Sequence, residues 1–287
     1  LGFIGSHVAS RLKELDYEVL QVDLNFKKKV PGVWYGSVSW DCFLKTFVDQ
    51  ELDYIFHFGS PCSVLQFQED SVYCVQDTLK GFLNVLKLAQ YTKAKLLYPS
   101  SGNIYGCLIP PYDEDMNAVP NNLYGICKYL CESLSKANDK VDSVALRVFT
   151  GYGPGEEGKG NLASVVYLFL SKMRRNESPV IWGDGEQRRD CIYVDDIVEA
   201  FIRAMHVKNS PINVASGKDY SYNQIVEKIN KVLGKDIKPV YTGKPKNYVD
   251  NAVADTTLMK KYLRLHPISL EEGLKKFSGY LDEHSKN

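Results

Sequence analysis

The chain has 287 residues, enough for one large or two small domains with a real core. Its 35 basic residues cancel its 35 acidic ones, and the longest basic run is only Lys27-Lys28-Lys29, so nothing in the charge argues for nucleic acid or an anionic membrane as partner. No apolar stretch reaches the roughly 20 residues of a membrane-spanning helix. The 7 cysteines are an odd set without a C-x-x-C pair, and the 5 histidines show no metal-ligand spacing. These features read as a soluble, cytoplasmic, metal-free protein.

The first element is a helix entered directly from Leu1-Gly2-Phe3-Ile4-Gly5-Ser6-His7, with Ile4, Val8, Leu12 and Leu15 on one face. A strand over 18–22 closes on Asp23, and a second covers 53–58. Helical spacing follows through Leu79, Phe82, Leu83, Leu86 and Leu88. Residues 95–98 return to strand, 123–136 to helix and 143–149 to strand. Strands alternating with helices imply βαβ units and a parallel, doubly wound α/β sheet. Beyond Phe149 a Gly-rich loop spans 151–160; helix is expected over 162–174, 222–233 and 270–281, and strand over 180–182. The expected division is a dinucleotide-binding domain over 1–150 with a return segment near 190–216. A smaller α/β substrate domain over 151–189 and 217–287 would close over the sheet's carboxyl edge.

Gly2-Phe3-Ile4-Gly5 has the form of a strand-to-helix turn where glycines admit a pyrophosphate to the backbone and the helix N-terminus offers free N–H groups. Asp23 stands 18 residues after Gly5, where a carboxylate can accept from both ribose hydroxyls of an adenosine and repel a 2′-phosphate. NAD is therefore expected over NADP, with Lys27, Lys28 and Lys29 read as a solvated loop. A dinucleotide fold also needs a central first strand ahead of this turn. That strand is missing from the chain, so the natural protein is expected to start roughly ten residues earlier. An intact-mass measurement of active enzyme would check that.

Tyr124-Gly125-Ile126-Cys127-Lys128 places a phenol and an ammonium four residues apart, on one helix face. Tyr91 and Lys95 share the spacing but lead into a strand with no partner serine, and read as structural. Only Tyr124 and Lys128 come after a strand emerging into Pro99-Ser100-Ser101-Gly102-Asn103-Ile104-Tyr105-Gly106, which brings hydroxyls to the sheet edge. A free phenol with a pKa near 10 is a poor base. A neighbouring lysine and an oxidised nicotinamide are expected to pull it down, with Ser101 holding the substrate hydroxyl.

Together with Gly183-Asp184-Gly185-x-Gln187-x-Arg189-Asp190-x-Ile192-Tyr193-Val194-Asp195-Asp196, these motifs resemble the NAD-dependent epimerase/dehydratase family of extended short-chain dehydrogenases/reductases across almost the whole chain. The resemblance implies a Rossmann domain with bound NAD and a nucleotide-sugar domain. By position it implies Ser101, Tyr124 and Lys128 as catalytic residues. Phe3, Ile4, Asp23 and the His57-Phe58-Gly59-Ser60 turn become NAD contacts. Asn161, Leu162, Trp182 and Arg189 become contacts to the nucleotide diphosphate. A guanidinium fork suits phosphate oxygens, although Arg189 could instead pair with Asp190 or Asp195. Asp195 and Asp196 read as a cap on a helix over 197–205.

Family members share oxidation of a sugar 4-hydroxyl by tyrosinate and NAD, and differ in the fate of the resulting keto sugar. A 4,6-dehydratase resembles sequences with an acidic pair after the catalytic hydroxyl residue, and the UDP-glucuronate decarboxylase branch keeps Glu where Asn103 stands. Gly102 and Asn103 transfer no proton, so the expected activity is nucleotide-sugar 4-epimerisation (an isomerase of carbohydrate metabolism), with a UDP-sugar as substrate. The alternatives are a 4-keto reductase using exchangeable NADPH, and a catalytically silent NAD- or nucleotide-sugar-binding regulator. Thr78, Thr150 and Ser37-Val38 depart from the family's usual Asn, Asn and Asp-hydrophobe, and Lys244 or Lys246 stands where an Arg is common. The resemblance also implies a homodimer built from the helices over 79–88 and 123–136.

Overall fold

The computed structural model describes residues 1–25, 30–208, 210–243 and 251–284. The roles considered for Lys27, Lys28, Lys29, Lys244 and Lys246 lie outside the described residues. Two units divide the chain: one takes Leu1–Cys107, Met116–Arg147 and Val198–Ile212, the other Leu108–Asp115, Val148–Ile197 and Asn213–Asn287.

In the first unit, helix α1 (Phe3–Glu14) leads to β1 (Gln21–Asp23), β2 (Val33–Tyr35), α2 (Phe43–Phe47), β3 (Tyr54–Phe56) and α3 (Val64–Glu69). Then come α4 (Ser71–Thr92), β4 (Lys95–Ser101), α5 (Leu123–Ala137) and β5 (Ser143–Val148). Strand β1 pairs in parallel with β2, and β3 in parallel with β4. The larger sheet runs β3-β4-β5-β9, with β9 at Ile212–Val214. Alternating strands and helices thus give the α/β architecture expected.

Helix α4 starts eight residues before the apolar spacing alone suggests. Asp70 supplies the reason, accepting from the Tyr73 amide at 3.0 Å as an N-cap. Its far end stops at Lys93 in the left-handed region. Phe82, Val85, Leu86 and Leu88 of α4 pack with Leu96 and Tyr98 of β4 and with Cys131 and Ala145. Burying each of the larger apolar side chains contributes about 1.5–3 kcal/mol. Of the apolar residues on α4, Phe82 and Leu86 are core, and Leu83 is exposed.

The second unit contains β6 (Thr150–Tyr152), α6 (Val165–Arg174), β7 (Val180–Trp182), β8 (Arg188–Tyr193) and the start of α7 (Val194–Ala204). After β9 it continues through β10 (Asp219–Ser221), α8 (Tyr222–Leu233), β11 (Val240–Thr242), β12 (Asn251–Ala252) and α9 (Leu270–His284). Strand β8 is central, parallel to β6 and β12 and antiparallel to β10, while β7 and β11 form a separate parallel pair. The Gly-rich loop is more ordered than its composition suggests. It forms a 3-10 segment over Glu156–Leu162, and the buried Glu156 carboxylate accepts from the Ser164 amide and hydroxyl at 2.8 and 2.6 Å. Ser164 in turn caps α6, which is why that helix begins at Val165 and not at Leu162.

The expected cap at Asp195-Asp196 is corrected. Helix α7 begins at Val194, so both carboxylates lie inside its first turn, where they favour the helix dipole. Asp196 also accepts from the Ile268 amide at 3.0 Å. Among the described residues no helix is long and apolar enough to cross a membrane, and no three His, Cys, Asp or Glu side chains converge as metal ligands.

Candidate active site

Helix α5 carries the central pair. Asn122 caps it, accepting from the Gly125 amide at 2.9 Å. A Cβ on Gly125 would lie 2.7 Å from the Asn103 carbonyl oxygen. The helix therefore approaches the backbone just beyond Ser101 more closely than any side chain allows. That approach sets Tyr124 beside Ser101, whose hydroxyl acts on the phenol. A glycine inside a helix next to Tyr124 was the available sequence signal, because such a glycine costs helix stability and points to a packing reason.

Ser101 Oγ accepts from both the amide and the side-chain Nδ2 of Asn103, each at 3.2 Å. A hydroxyl has two lone pairs and one proton. With both lone pairs engaged, the proton is what Ser101 has left to offer, to the Tyr124 oxygen or to a bound hydroxyl. Such a donor favours the phenolate. Burial acts more strongly in the other direction, and the Tyr124 phenol is raised overall in the protein itself. The lowering expected from the sequence counts an oxidised nicotinamide as well as Lys128; in the protein alone burial dominates, and the Cys62 thiol adds to it.

Lys128 lies one turn along α5, its Nζ 5.8 Å from the Tyr124 ring centroid. It donates to Ser60 Oγ at 3.3 Å and to the Pro99 carbonyl at 3.1 Å, which ties α5 to the 57–60 turn and to the end of β4. Burial lowers the Lys128 ammonium from its usual value. His57 is buried and pushed down to about 3, first by desolvation and then by the Lys128 charge, so its imidazole is neutral at physiological pH. Tyr91, by contrast, is exposed, and Lys95 binds the Val207 carbonyl and Asp142, which makes that pair structural.

The residues expected to contact the dinucleotide lie in the first unit. Helix α1 has Gly2 as N-cap, and no side chain caps it. A Cβ on Gly5 would meet Phe58 at 3.3 Å, so the helix start abuts the 57–60 turn. Asp23 ends β1, and its carboxylate accepts from the Asn25 amide at 2.7 Å. Thr78 Oγ1 on α4 and Ser100 Oγ on β4 are buried and lack any hydrogen-bond partner. Buried hydroxyls are normally paired. Two orphans, an uncapped helix and a terminal carboxylate fit a polar ligand with phosphate, ribose and amide groups.

In the second unit, Asn161 and Leu162 close the 3-10 segment, and Trp182 ends β7 with 44% of its surface exposed. Arg189 on β8 holds its guanidinium 5.5 Å from the Tyr222 ring centroid and donates to the Arg188 carbonyl at 2.8 Å. Asp190 faces the interior. Its carboxylate accepts from the Ser216 amide and hydroxyl and from the Gly217 and Ala254 amides. Burial raises it to about 6 against those donors.

The profile of the NAD dependent epimerase/dehydratase family matches residues 1–215. The chain belongs to that family. Its cofactor is NAD. A putative UDP-glucose 4-epimerase of Methanocaldococcus jannaschii is 30% identical over 305 residues, covering 99% of this chain and 97% of that protein. A UDP-N-acetyl-alpha-D-glucosaminuronate decarboxylase of Bacillus cytotoxicus is 29% identical over 301 residues, covering 96% and 93%. The crystal structure of UDP-glucose 4-epimerase with UDP-glucose from Thermotoga maritima superposes with a TM-score of 0.92 at 31% identity, covering 98% of this chain and 96% of that one. The fold is thus of the Rossmann type, and the chain is an NAD-dependent enzyme of the nucleotide-sugar epimerase/dehydratase group.

Proposed function

We propose that the protein is a nucleotide-sugar 4-epimerase acting on a UDP-sugar. The observation that carries this reading is the Ser101–Tyr124–Lys128 cluster with Gly102 and Asn103 directly after the serine, the Asn103 amide being spent on Ser101. A second proton-transfer group at those positions would commit a 4-keto sugar to losing water or carbon dioxide. Gly102 has no side chain, and an amide does not exchange protons at neutral pH.

In this reading the Tyr124 oxygen takes the proton of the sugar 4-hydroxyl, and Ser101 holds the same oxygen. Lys128 favours the phenolate by its charge and is itself fixed by Ser60 and Pro99. Tyr124 returns the proton to O4 once the keto sugar has presented its other face. NAD, when bound, supplies the hydride acceptor and then the donor. Gly2 to Gly5, Asp23, the 57–60 turn, Thr78 and Ser100 would hold it. On the second unit, Asn161, Leu162, Trp182 and Arg189 would hold the nucleotide diphosphate.

The test is product analysis. Purified protein is denatured to release and identify bound nucleotides by mass spectrometry, then incubated with UDP-hexoses, their N-acetyl forms and UDP-uronates under NMR. Retained NAD and a 4-epimer at equilibrium are expected without added cofactor. Release of carbon dioxide, loss of water or dependence on added NADPH would replace the epimerase reading with a decarboxylase, dehydratase or reductase. Binding without turnover across the panel would make the protein a regulator.

A homodimer through α4 and α5 belongs to the same proposal. Val72, Tyr73, Leu83 and Tyr91 on α4 and Leu123, Ile126, Tyr129 and Leu130 on α5 are exposed large apolar side chains at helical spacing. Light scattering at micromolar concentration is expected to give twice the chain mass, and a monomer would reject that surface.

A further inference from the structure

Tyr124, Lys128, Glu132 and Ser135 recur at intervals of four, four and three along α5, so they form one continuous stripe of the helix. Only the first two belong to the reacting set. Glu132 is about 12 Å further along the axis than Tyr124, too far to touch the same substrate atoms. Its side chain is nonetheless 90% buried, because it pairs with Arg147 of β5 in a fork: Nε to Oε1 at 3.0 Å and Nη2 to Oε2 at 2.8 Å. The third arm of the guanidinium, Nη1, donates to the hydroxyl of Tyr105 at 2.9 Å, and the guanidinium carbon lies 5.1 Å from the Tyr105 ring centroid.

Tyr105 is fully buried and ends the 3-10 turn over Gly102–Tyr105 that Ser101 itself caps. One guanidinium therefore binds both the helix that carries Tyr124 and the turn that carries Ser101. A planar fork fixes direction as well as distance, which an apolar contact does not. Apolar contacts of α5, such as those of Cys127 with Phe67 and Cys74, fix its position along the axis less sharply. A slide would separate Tyr124 from Ser101 while leaving the core filled.

We infer that Arg147, with Glu132 and Tyr105, is the positioning device that sets the axial register of α5 against the Ser101 turn and so keeps Tyr124 beside Ser101. The inference rests on reading Ser101, Tyr124 and Lys128 as the reacting set. None of the three positioning residues touches substrate. A displacement of the order of 1 Å at a reacting group lowers the rate by about 100-fold. Replacing a buried ion pair by apolar side chains of similar size is often neutral for folding. Register and stability can therefore be separated.

The experiment compares wild type with E132L/R147M and E132Q, each loaded with NAD. Stopped-flow absorbance of reduced nicotinamide on mixing with saturating sugar nucleotide reads the hydride half-reaction, and calorimetry reads substrate affinity. Titration of Tyr124 by NMR with isotope-labelled tyrosine reads the effect of Ser101 on the phenol. E132L/R147M is expected to fold with wild-type cofactor content and affinity, to slow the half-reaction about 10- to 100-fold, and to titrate Tyr124 at higher pH. E132Q leaves one acceptor for the guanidinium and is expected to lie between. Wild-type rates and an unmoved Tyr124 titration in either variant overturn the inference. So does failure of both to fold, since the network would then serve stability alone. If wild type leaves its cofactor oxidised across the panel of sugar nucleotides, the proposed function fails, and the Tyr124 titrations still decide the positioning role.

Discussion

The residues proposed to react, in the first unit, and those proposed to face the nucleotide, in the second, are built in opposite ways. Ser101, Tyr124 and Lys128 are all buried, and each is held by its own partners: Asn103 for the serine, Ser101 for the phenol, Ser60 and Pro99 for the ammonium. Asn161 and Trp182 are exposed, and Arg189 is half-buried with its fork spent partly on Tyr222 and its neighbour's carbonyl. Groups that react are worth most when their geometry is preorganised before substrate arrives. Groups that recognise a base or a diphosphate gain their energy when substrate covers them. The contrast therefore predicts that changes in the first unit act on kcat and changes at the exposed residues of the second act on KM.

The largest effect is expected for Tyr124→Phe, which removes the reacting oxygen and leaves the ring packed against Phe67. Half-reaction rate should fall by about 10²- to 10⁴-fold, with substrate affinity within a few-fold of wild type. Its pH dependence sharpens the point. Burial raises the phenol, so wild-type rate should climb with pH, and His57, held at about 3, should add no inflection near neutrality. Removing the Lys128 charge in Lys128→Met disfavours the phenolate, which moves that limb to higher pH. A limb that stays in place in the lysine variant would show that Tyr124 is not the titrating base.

Much of this contrast is legible in the sequence, for unequal reasons. The motif Ser101, Tyr124 and Lys128 reads out because the chemistry demands those residue types in that order. Its decoy, Tyr91 and Lys95, fails on context alone. Element ends escape where a cap decides them, as Asp70 does for α4 and Ser164 for α6. A polar residue just outside the apolar periodicity leaves little trace in it. The Arg147 network is invisible for another reason. Its partners lie 15 and 42 residues away in sequence, and no local pattern links a strand arginine to one glutamate among many. Asp190 reads from sequence only as a partner for Arg189, yet its four donors come from backbone and hydroxyl groups on loops that fold to meet it.

A smaller effect, on the other side of the contrast, is expected for Trp182→Ala. Stacking of an aromatic side chain on a nucleic base is worth about 1–3 kcal/mol, so KM for the UDP-sugar should rise roughly 5- to 100-fold while kcat stays near wild type. Steady-state kinetics at saturating and limiting substrate separate the two. A fall in kcat with KM unchanged would break the division of labour between the units.

The smallest effect probes where the division is least obvious, at a buried hydroxyl with no partner. Thr78→Val keeps the shape of the side chain and removes Oγ1, which lacks a hydrogen bond inside the first unit. An unsatisfied buried polar atom costs about 1–3 kcal/mol. The cofactor-free variant should therefore be more stable than wild type by up to about 1 kcal/mol, allowing for partial relaxation of the site. If the hydroxyl exists to meet NAD, the gain reverses on loading: dissociation of NAD should quicken several-fold, and the melting temperature of the loaded variant should drop below that of loaded wild type. Thermal unfolding with and without NAD reads both signs in one experiment. A variant stabilised equally in both states would mean that Thr78 tolerates a solitary hydroxyl for no ligand, and Ser100, the second orphan, would become the residue to test against the dinucleotide.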